Sequence, residues 1–203
     1  LGCGTGAGAL LLAEYFGSSV LAVDSASAFV EELRMHAKAR GLDHLITAIE
    51  ADMGNLNRRD ASIDLLWSEG AAYNLGFENA MHLWRPLLVT GGIAVISEMS
   101  WFSGQIPTPA LEFWKAAYPA IGSESENRIR AEKAGFKVLA THRLPSDAWW
   151  SSYYSPLIKR IEEIRTEANS IMLSVIQEIE SEMNLFRQFS DFYGYTFYVL
   201  EAV

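Results

Sequence analysis

Along the first hundred residues, short unbroken apolar runs alternate with stretches whose apolar side chains recur at helical spacing. Ser19-Val20-Leu21-Ala22-Val23-Asp24 is such a run. It lacks in–out alternation, so it predicts a parallel strand covered on both faces. Leu45 to Ile49 predicts another strand, closing on Glu50-Ala51-Asp52, and Ile63-Asp64-Leu65-Leu66-Trp67 a further one. Ile93-Ala94-Val95-Ile96 follows, launched by Gly91-Gly92. Between the runs, Ala7 to Tyr15 has a helical pattern. A second helix is predicted behind Ser25 as N-cap, with Phe29, Val30, Leu33 and Ala37 as its apolar stripe and Gly41 as its end. Phe77 to Leu88 predicts a third helix, its last turn distorted by Pro86.

Beyond residue 100 the pattern changes. Trp101 to Pro109 reads as a loop, and helices are predicted near Ala110–Tyr118 and Glu124–Ala134. The second of these has a capping-box sequence, Ser123-Glu124-Ser125-Glu126, and ends on Gly135. Phe136 to Arg143 predicts a strand. From Ser155-Pro156 one long amphipathic helix is expected, with Leu157, Ile161, Ile164, Ala168, Ile171, Val175, Ile179, Met183 and Phe186 on one face. Tyr195 to Leu200 predicts a closing strand. Strand and helix alternate as in a βαβ series. The expected fold class is therefore α/β, with a doubly wound, mostly parallel sheet and helices on both faces.

Chemistry enters at the very start. Leu1-Gly2-Cys3-Gly4-Thr5-Gly6 places glycine at every second position ahead of a helix. Glycine is required where the backbone turns sharply and a ligand must approach main-chain N–H groups without a Cβ in between. A loop of this kind needs a strand running into it, and only Leu1 of one is in the sequence. The expectation is that the sheet's first strand lies upstream of this chain. Asp24 stands 18 residues after Gly6 at a predicted strand end, where a carboxylate can accept hydrogen bonds from two ribose hydroxyls. Asp52 and Met53 end the next strand, and Ser68-Glu69-Gly70 the one after. Each strand end thus delivers polar residues to a single rim, the side on which open α/β sheets bind ligands.

Composition narrows the ligand class. A formal charge of −9 argues against a duplex nucleic acid as main partner and favours a small molecule. The single cysteine, Cys3, rules out an intrachain disulfide framework and fits a reducing cytoplasm. No apolar run approaches the roughly 18 residues of a membrane span, so no membrane partner is expected. No metal-ligand spacing is present.

Taken together, these segments resemble the class I S-adenosylmethionine-dependent methyltransferases over the whole chain. More narrowly, Trp67-Ser68-Glu69-Gly70-Ala71-Ala72-Tyr73-Asn74-Leu75-Gly76-Phe77 and Ser97-Glu98-Met99-Ser100-Trp101-Phe102 are similar to a subgroup of small-molecule enzymes of the ubiquinone/menaquinone-biosynthesis type. Phe113-Trp114-Lys115-Ala116-Ala117-Tyr118-Pro119 and Tyr193-Gly194-Tyr195-Thr196-Phe197 carry the same likeness. The resemblance implies a Rossmann-like domain over residues 1–203, closed by an antiparallel strand. A helical and aromatic cap would come from about 101–135 and 145–190. It implies S-adenosylmethionine as cofactor: Gly2, Cys3, Gly4 and Gly6 beneath the methionine part, Asp24 and the adjoining Ser25 at the ribose, Asp52 and Met53 at adenine, and Ser68 near the methionine part.

Methyl transfer is an in-line displacement on an activated sulfonium carbon, so alignment and water exclusion do much of the work. Glu69 and Glu98 are candidate bases; Tyr73 and Asn74 can position an acceptor. Glu69 has a second reading, as holder of the cofactor's ammonium or as a helix-start residue. His142 reads as an ordinary strand histidine, and Cys3 belongs to the loop and provides no covalent nucleophile. Of the aromatics Trp101, Phe102, Phe113, Trp114, Tyr118, Trp149, Trp150, Tyr153 and Tyr154, most are expected in a core and the remainder around an acceptor. The long helix is expected to face the core or a second copy in a homodimer. Gly4-Thr5-Gly6-Ala7-Gly8-Ala9 also satisfies G-x-G-x-x-A, which keeps a NAD(P)-dependent oxidoreductase as an alternative. No Tyr-x-x-x-Lys pair follows to serve hydride transfer. A non-catalytic cofactor-binding protein is the other alternative.

Overall fold

The computed structural model describes residues 1–56 and 60–203. Strand and helix alternate as the pattern predicts: α1 (Ala7–Phe16), β1 (Val20–Asp24), α2 (Ser27–Ala39), β2 (Ile46–Glu50), β3 (Ile63–Ser68), α3 (Phe77–Trp84) and β4 (Leu88–Trp101). Then come α4 (Thr108–Ala117), β5 (Gly122–Ser123), α5 (Glu124–Lys133), β6 (Phe136–Arg143), α6 (Ser146–Trp149), α7 (Ser155–Ile164), α8 (Ser170–Phe189) and β7 (Tyr193–Ala202).

The chain forms two compact units. The first comprises Leu1–Glu98, Ser125–Thr141 and Phe197–Val203; the second comprises Met99–Glu124 and His142–Thr196. In the first unit β1 pairs with β2 in parallel, Val20 opposite Ile46 and Asp24 opposite Glu50. β3 pairs with β4 in parallel, and the sheet continues in the order β3-β4-β7-β6. Leu144 N–H donates to Tyr195 O, and Val203 N–H to Gly135 O, so the start of β6 lies by the end of β7 and the converse. The closing strand is therefore antiparallel, as expected.

β1 and β3 belong to separate hydrogen-bonded ladders. A cavity of about 790 Å³ lies between them, lined by Leu1, Gly8, Leu12, Leu21, Leu65 and Trp67 among others. At its end Leu1 N donates to Trp67 O at 2.6 Å and Cys3 N–H to Val23 O at 2.9 Å. The glycine loop is thereby tied to a strand on each side.

Burial follows the periodicity. Val30, Leu33 and Ala37 of α2 are buried with Ala9, Leu10 and Ala13 of α1 in one cluster. Phe29 departs from the expected stripe and is exposed, one helical position too far round. A second cluster in the same unit gathers Leu66, Phe77, Met81, Trp84, Ile96 and Tyr198. Trp84 also donates its indole N–H to Met53 O at 2.9 Å, so its polar handle is satisfied while the ring is buried.

Several predicted boundaries move, each for a local reason. Ser25 does not cap α2: the N-cap is Ala26, whose own side chain has no group to cap with. The Asp24 carboxylate accepts the Ala26 N–H at 3.0 Å instead, an Asx-type turn in which an acidic residue takes the donor two positions on. β4 does not start after Gly91-Gly92 but runs through them. The register shifts between Ile63 and Leu65 of the partner strand. Gly91 has φ +78°, and a Cβ on Gly92 would stand 2.9 Å from Val89 O, so the glycines permit the irregularity. Pro86 does end its helix: α3 stops at Trp84 and a 3₁₀ turn covers Arg85–Leu87.

The second unit overturns one expectation outright. The long helix from Pro156 is two helices, because a 3₁₀ turn at Arg165–Glu167 ends α7 and Asn169 starts α8 by accepting the Met172 N–H at 2.9 Å. Asparagine competes with the helix backbone and so favours a cap over an interior position. Ahead of α7, Trp150–Tyr154 is π-helical. Its Trp150 and Tyr154 join Trp101, Trp114, Phe186 and Tyr193 in a core where Trp149 stacks on Phe186 at 4.5 Å and on Tyr195 at 5.1 Å between centroids. Trp101, Trp114, Trp149 and Tyr154 are buried, while Tyr153 is exposed.

Candidate functional site

The glycine loop is a tight turn closed by Gly6 N–H donating to Cys3 O at 3.0 Å. Gly2, Gly4 and Gly6 all have positive φ, 62°, 52° and 99°. They serve different ends. A Cβ on Gly2 would lie 2.3 Å from Ala71 Cβ, and one on Gly6 would lie 2.1 Å from Leu33 Cδ1. These two are glycine because neighbouring elements press against them. Gly4 has nothing within 4 Å of its Cβ direction, so its requirement is the backbone conformation and an open approach.

Asp24 organises the rim. Its Oδ2 accepts Gly4 N–H at 2.8 Å while Oδ1 accepts Ala26 N–H. One carboxylate therefore fixes both the glycine loop and the β1–α2 turn, and each oxygen keeps acceptor capacity for a further donor. Ser25 is exposed beside it. Asp52 accepts Gly54 N–H through Oδ1 at 2.8 Å, an Asx turn that shapes the segment after β2. Met53 Sδ would lie 3.7 Å from a Cβ on Gly2. Gly2, Met53 and Ala71 therefore form one contact, drawn from the loop, the end of β2 and the segment after β3.

Ser68 ends β3 fully buried, and among the described residues its Oγ makes no hydrogen bond. A buried hydroxyl without a partner costs roughly 1–3 kcal/mol unless something else satisfies it. Glu69, next in sequence, is exposed, and its Oε2 accepts the Trp67 indole N–H at 3.4 Å. Gly70 N–H donates to Ser97 Oγ at 2.8 Å, which fixes the turn into Ala71. Tyr73 is half exposed in the 3₁₀ turn Ala72–Asn74, whose Asn74 side chain donates to Ala71 O at 3.1 Å. Glu98 is buried near the end of β4. Cys3 is half-buried in the loop; burial and the nearby Asp24 carboxylate push its thiol pKa up, so it is held as the neutral thiol.

Trp67, Ser97 and His36 were not among the residues singled out from sequence. Ser97 carried a usable signal, since it lies beside Glu98 near the end of a predicted strand. His36 carried none, because its role comes from helix packing. Its Nδ1 donates to Thr5 O at 3.2 Å across the fold. Among the described residues no group of three or more His, Cys, Asp or Glu side chains could hold a metal ion. No helix of the described residues is long and apolar enough to cross a membrane.

The donor set suits a nucleoside with a charged tail: backbone N–H groups and open space at Gly4, a carboxylate at the rim for vicinal hydroxyls, and a buried hydroxyl without a partner. Comparison with known proteins agrees. Residues 1–92 match the family described as Methyltransferase domain. Carboxy-S-adenosyl-L-methionine synthase of Vibrio vulnificus (strain YJ016) is 31% identical over 120 residues, 55% of this chain and 47% of that protein. The chain thus spans about half the length of the curated relatives it matches. A S-adenosylmethionine-dependent methyltransferase from Thiobacillus denitrificans, solved in complex with S-adenosyl-L-homocysteine, superposes with a TM-score of 0.81 at 19% identity, covering 100% of this chain and 83% of that one. Geranyl diphosphate C-methyltransferase from Streptomyces coelicolor A3(2), solved with Mg2+, geranyl diphosphate and S-adenosyl-L-homocysteine, gives 0.71 at 15% identity, covering 100% and 69%. At these identities the likeness to the solved structures is one of fold. Residues 1–92 thus match a methyltransferase domain in sequence, and the whole chain shares the fold of these solved methyltransferases.

Proposed function

We propose that this chain binds S-adenosylmethionine and transfers its methyl group to a small-molecule acceptor. The observation that supports the reading is the convergence of three strand ends on the glycine loop: Asp24 on Gly4 N–H, and Met53 and Ala71 both against Gly2. The curated relative is a carboxy-S-adenosyl-L-methionine synthase, and both solved structures hold S-adenosyl-L-homocysteine. One of those structures also holds geranyl diphosphate, a small molecule, which supports a small-molecule acceptor here.

When bound, the cofactor supplies a methyl group already activated on a sulfonium centre. The residues of this chain hold and orient. Gly2, Cys3, Gly4 and Gly6 offer main-chain groups to the methionine part, and the buried Ser68 hydroxyl gains a partner there. Asp24 accepts the ribose hydroxyls through acceptor capacity left over from its two backbone bonds, and Ser25 adjoins it. Asp52 and Met53 flank adenine. Glu69 and Tyr73, on the segment after β3, position the acceptor or take its proton; Glu98 is the second candidate base.

Calorimetry separates this reading from the nicotinamide alternative. The protein is expected to bind S-adenosylmethionine and its demethylated product and not NAD. Tight NAD binding without a response to the sulfonium compound overturns the proposal. A screen of small acceptors with labelled cofactor then reads methyl incorporation; cofactor binding with no turnover on any acceptor favours a binding protein.

A further inference from the structure

Helix α2 touches the glycine loop at two adjacent points, and the second has no packing role. Leu33 fills the space beside Gly6. One turn along, His36 Nδ1 lies 3.2 Å from Thr5 O. A carbonyl oxygen only accepts, so the imidazole donates there. Its other nitrogen faces Glu32 Oε1 on the same helix at 3.9 Å. Arg34, on another face of α2, donates to Ala48 O of β2 at 2.7 Å, so the helix is also anchored to the strand leading to Asp52 and Met53.

The hydrogen bond acts on one peptide unit. Thr5 C=O and Gly6 N–H share a plane, because the peptide bond does not rotate freely. The Gly6 end of that plane donates to Cys3 O and closes the turn. The Thr5 end is what His36 holds. The plane is therefore pinned at both edges, and with it the direction of the neighbouring N–H groups. Rotation of the plane is set by Thr5 ψ and Gly6 φ, and the positive φ at Gly6 is one that glycine adopts without steric cost.

We infer that His36 is a positioning residue for cofactor capture, holding the Thr5–Gly6 peptide in the orientation the ligand needs through the Thr5 carbonyl. This rests on the methyltransferase reading for its ligand but not for its geometry. His36 is half exposed on a helix whose buried stripe is Val30, Leu33 and Ala37, so its replacement removes little packing.

The test uses the whole chain with S-adenosyl-L-homocysteine as probe. His36→Ala is expected to raise its Kd roughly three- to tenfold, the span of one hydrogen bond, with the thermal midpoint nearly unchanged. His36→Asn, whose amide N–H sits near the Nδ1 position, is expected to restore affinity. Without ligand, amide exchange at Gly6 should speed up in His36→Ala and recover in His36→Asn. Unchanged Gly6 exchange in His36→Ala overturns the inference whether or not any ligand binds. Faster exchange with an unchanged Kd overturns it too. A wild-type protein that ignores the probe overturns the methyltransferase reading instead, and the exchange arm still decides the geometry.

Discussion

Asp24 Oδ2 accepts the Gly4 N–H at 2.8 Å, so the end of β1 and the glycine loop are joined by one charge-assisted hydrogen bond. The same carboxylate holds Ala26 N–H with its other oxygen. A single side chain thus sets the distance between the loop and the first turn of α2 before any ligand arrives, and the ribose hydroxyls would meet an acceptor already fixed in place.

Asp24→Ala is therefore expected to weaken S-adenosylmethionine binding by about 1.5–3 kcal/mol, the scale of charge-assisted hydrogen bonds. Calorimetry reads it directly. An unchanged dissociation constant would reduce Asp24 to a turn residue.

Gly6 and Gly4 should respond differently to the same change. Gly6→Ala drives a Cβ to 2.1 Å from the Leu33 side chain, which is fully buried, at φ +99°. Overpacking and the left-handed backbone together are expected to cost at least about 2 kcal/mol of stability. Gly4→Ala meets no neighbour within 4 Å and bears only the backbone cost, about 1–2 kcal/mol, at φ +52°. Denaturant midpoints rank the two; equal losses would contradict the packing argument.

Much of the first unit was legible in sequence because its elements are fixed locally. The Val20–Asp24 run is short, apolar and followed by a carboxylate, and the structure returns that strand. Gly135 ends its helix with φ +90°, and Pro86 ends another. What sequence could not supply was competition between neighbours. Ser25 is a good N-cap by propensity, yet Asp24, one position before it, takes the Ala26 N–H. The apolar rhythm from Leu157 to Phe186 never breaks, but Asn169 interrupts the backbone beneath it. In the site, residue types at strand ends were readable; the contacts Gly2–Ala71 and His36–Thr5 were not, since they join segments far apart in the chain.

Glu69→Gln separates chemistry from binding. If Glu69 takes a proton from the acceptor, cofactor affinity is expected to hold while turnover falls by about 10²–10⁴-fold. If it holds the cofactor's ammonium, affinity falls and turnover at saturating cofactor largely survives. The Trp67 indole N–H on its carboxylate favours a fixed, orienting role. No change in either parameter moves the search to Glu98 and Tyr73.

The second unit has a pH dependence of predictable sign. Burial raises the Glu182 pKa above the ordinary 4.5, and Tyr154 donates to its Oε1 at 2.8 Å. A carboxyl with a raised folded pKa binds protons more readily folded than unfolded. Its stabilising share is complete below about 4.5 and is lost as pH rises through the raised folded value. Glu182→Gln is expected to flatten that part of the stability–pH curve, followed by near-UV circular dichroism. A curve for Glu182→Gln that still declines as steeply would sink this assignment.

The raised thiol pKa of Cys3 has a consequence outside the catalytic cycle. Thiolate is the form that peroxide oxidises and electrophiles alkylate, and the half-buried thiol beside Asp24 is held neutral. A cofactor loop carrying a reactive cysteine would shut down when oxidants accumulate, as sensor proteins do. Iodoacetamide should therefore label Cys3 more slowly than it labels free glutathione at neutral pH. A thiol held neutral in this loop would make it slower to answer to oxidants than a loop built on a thiolate.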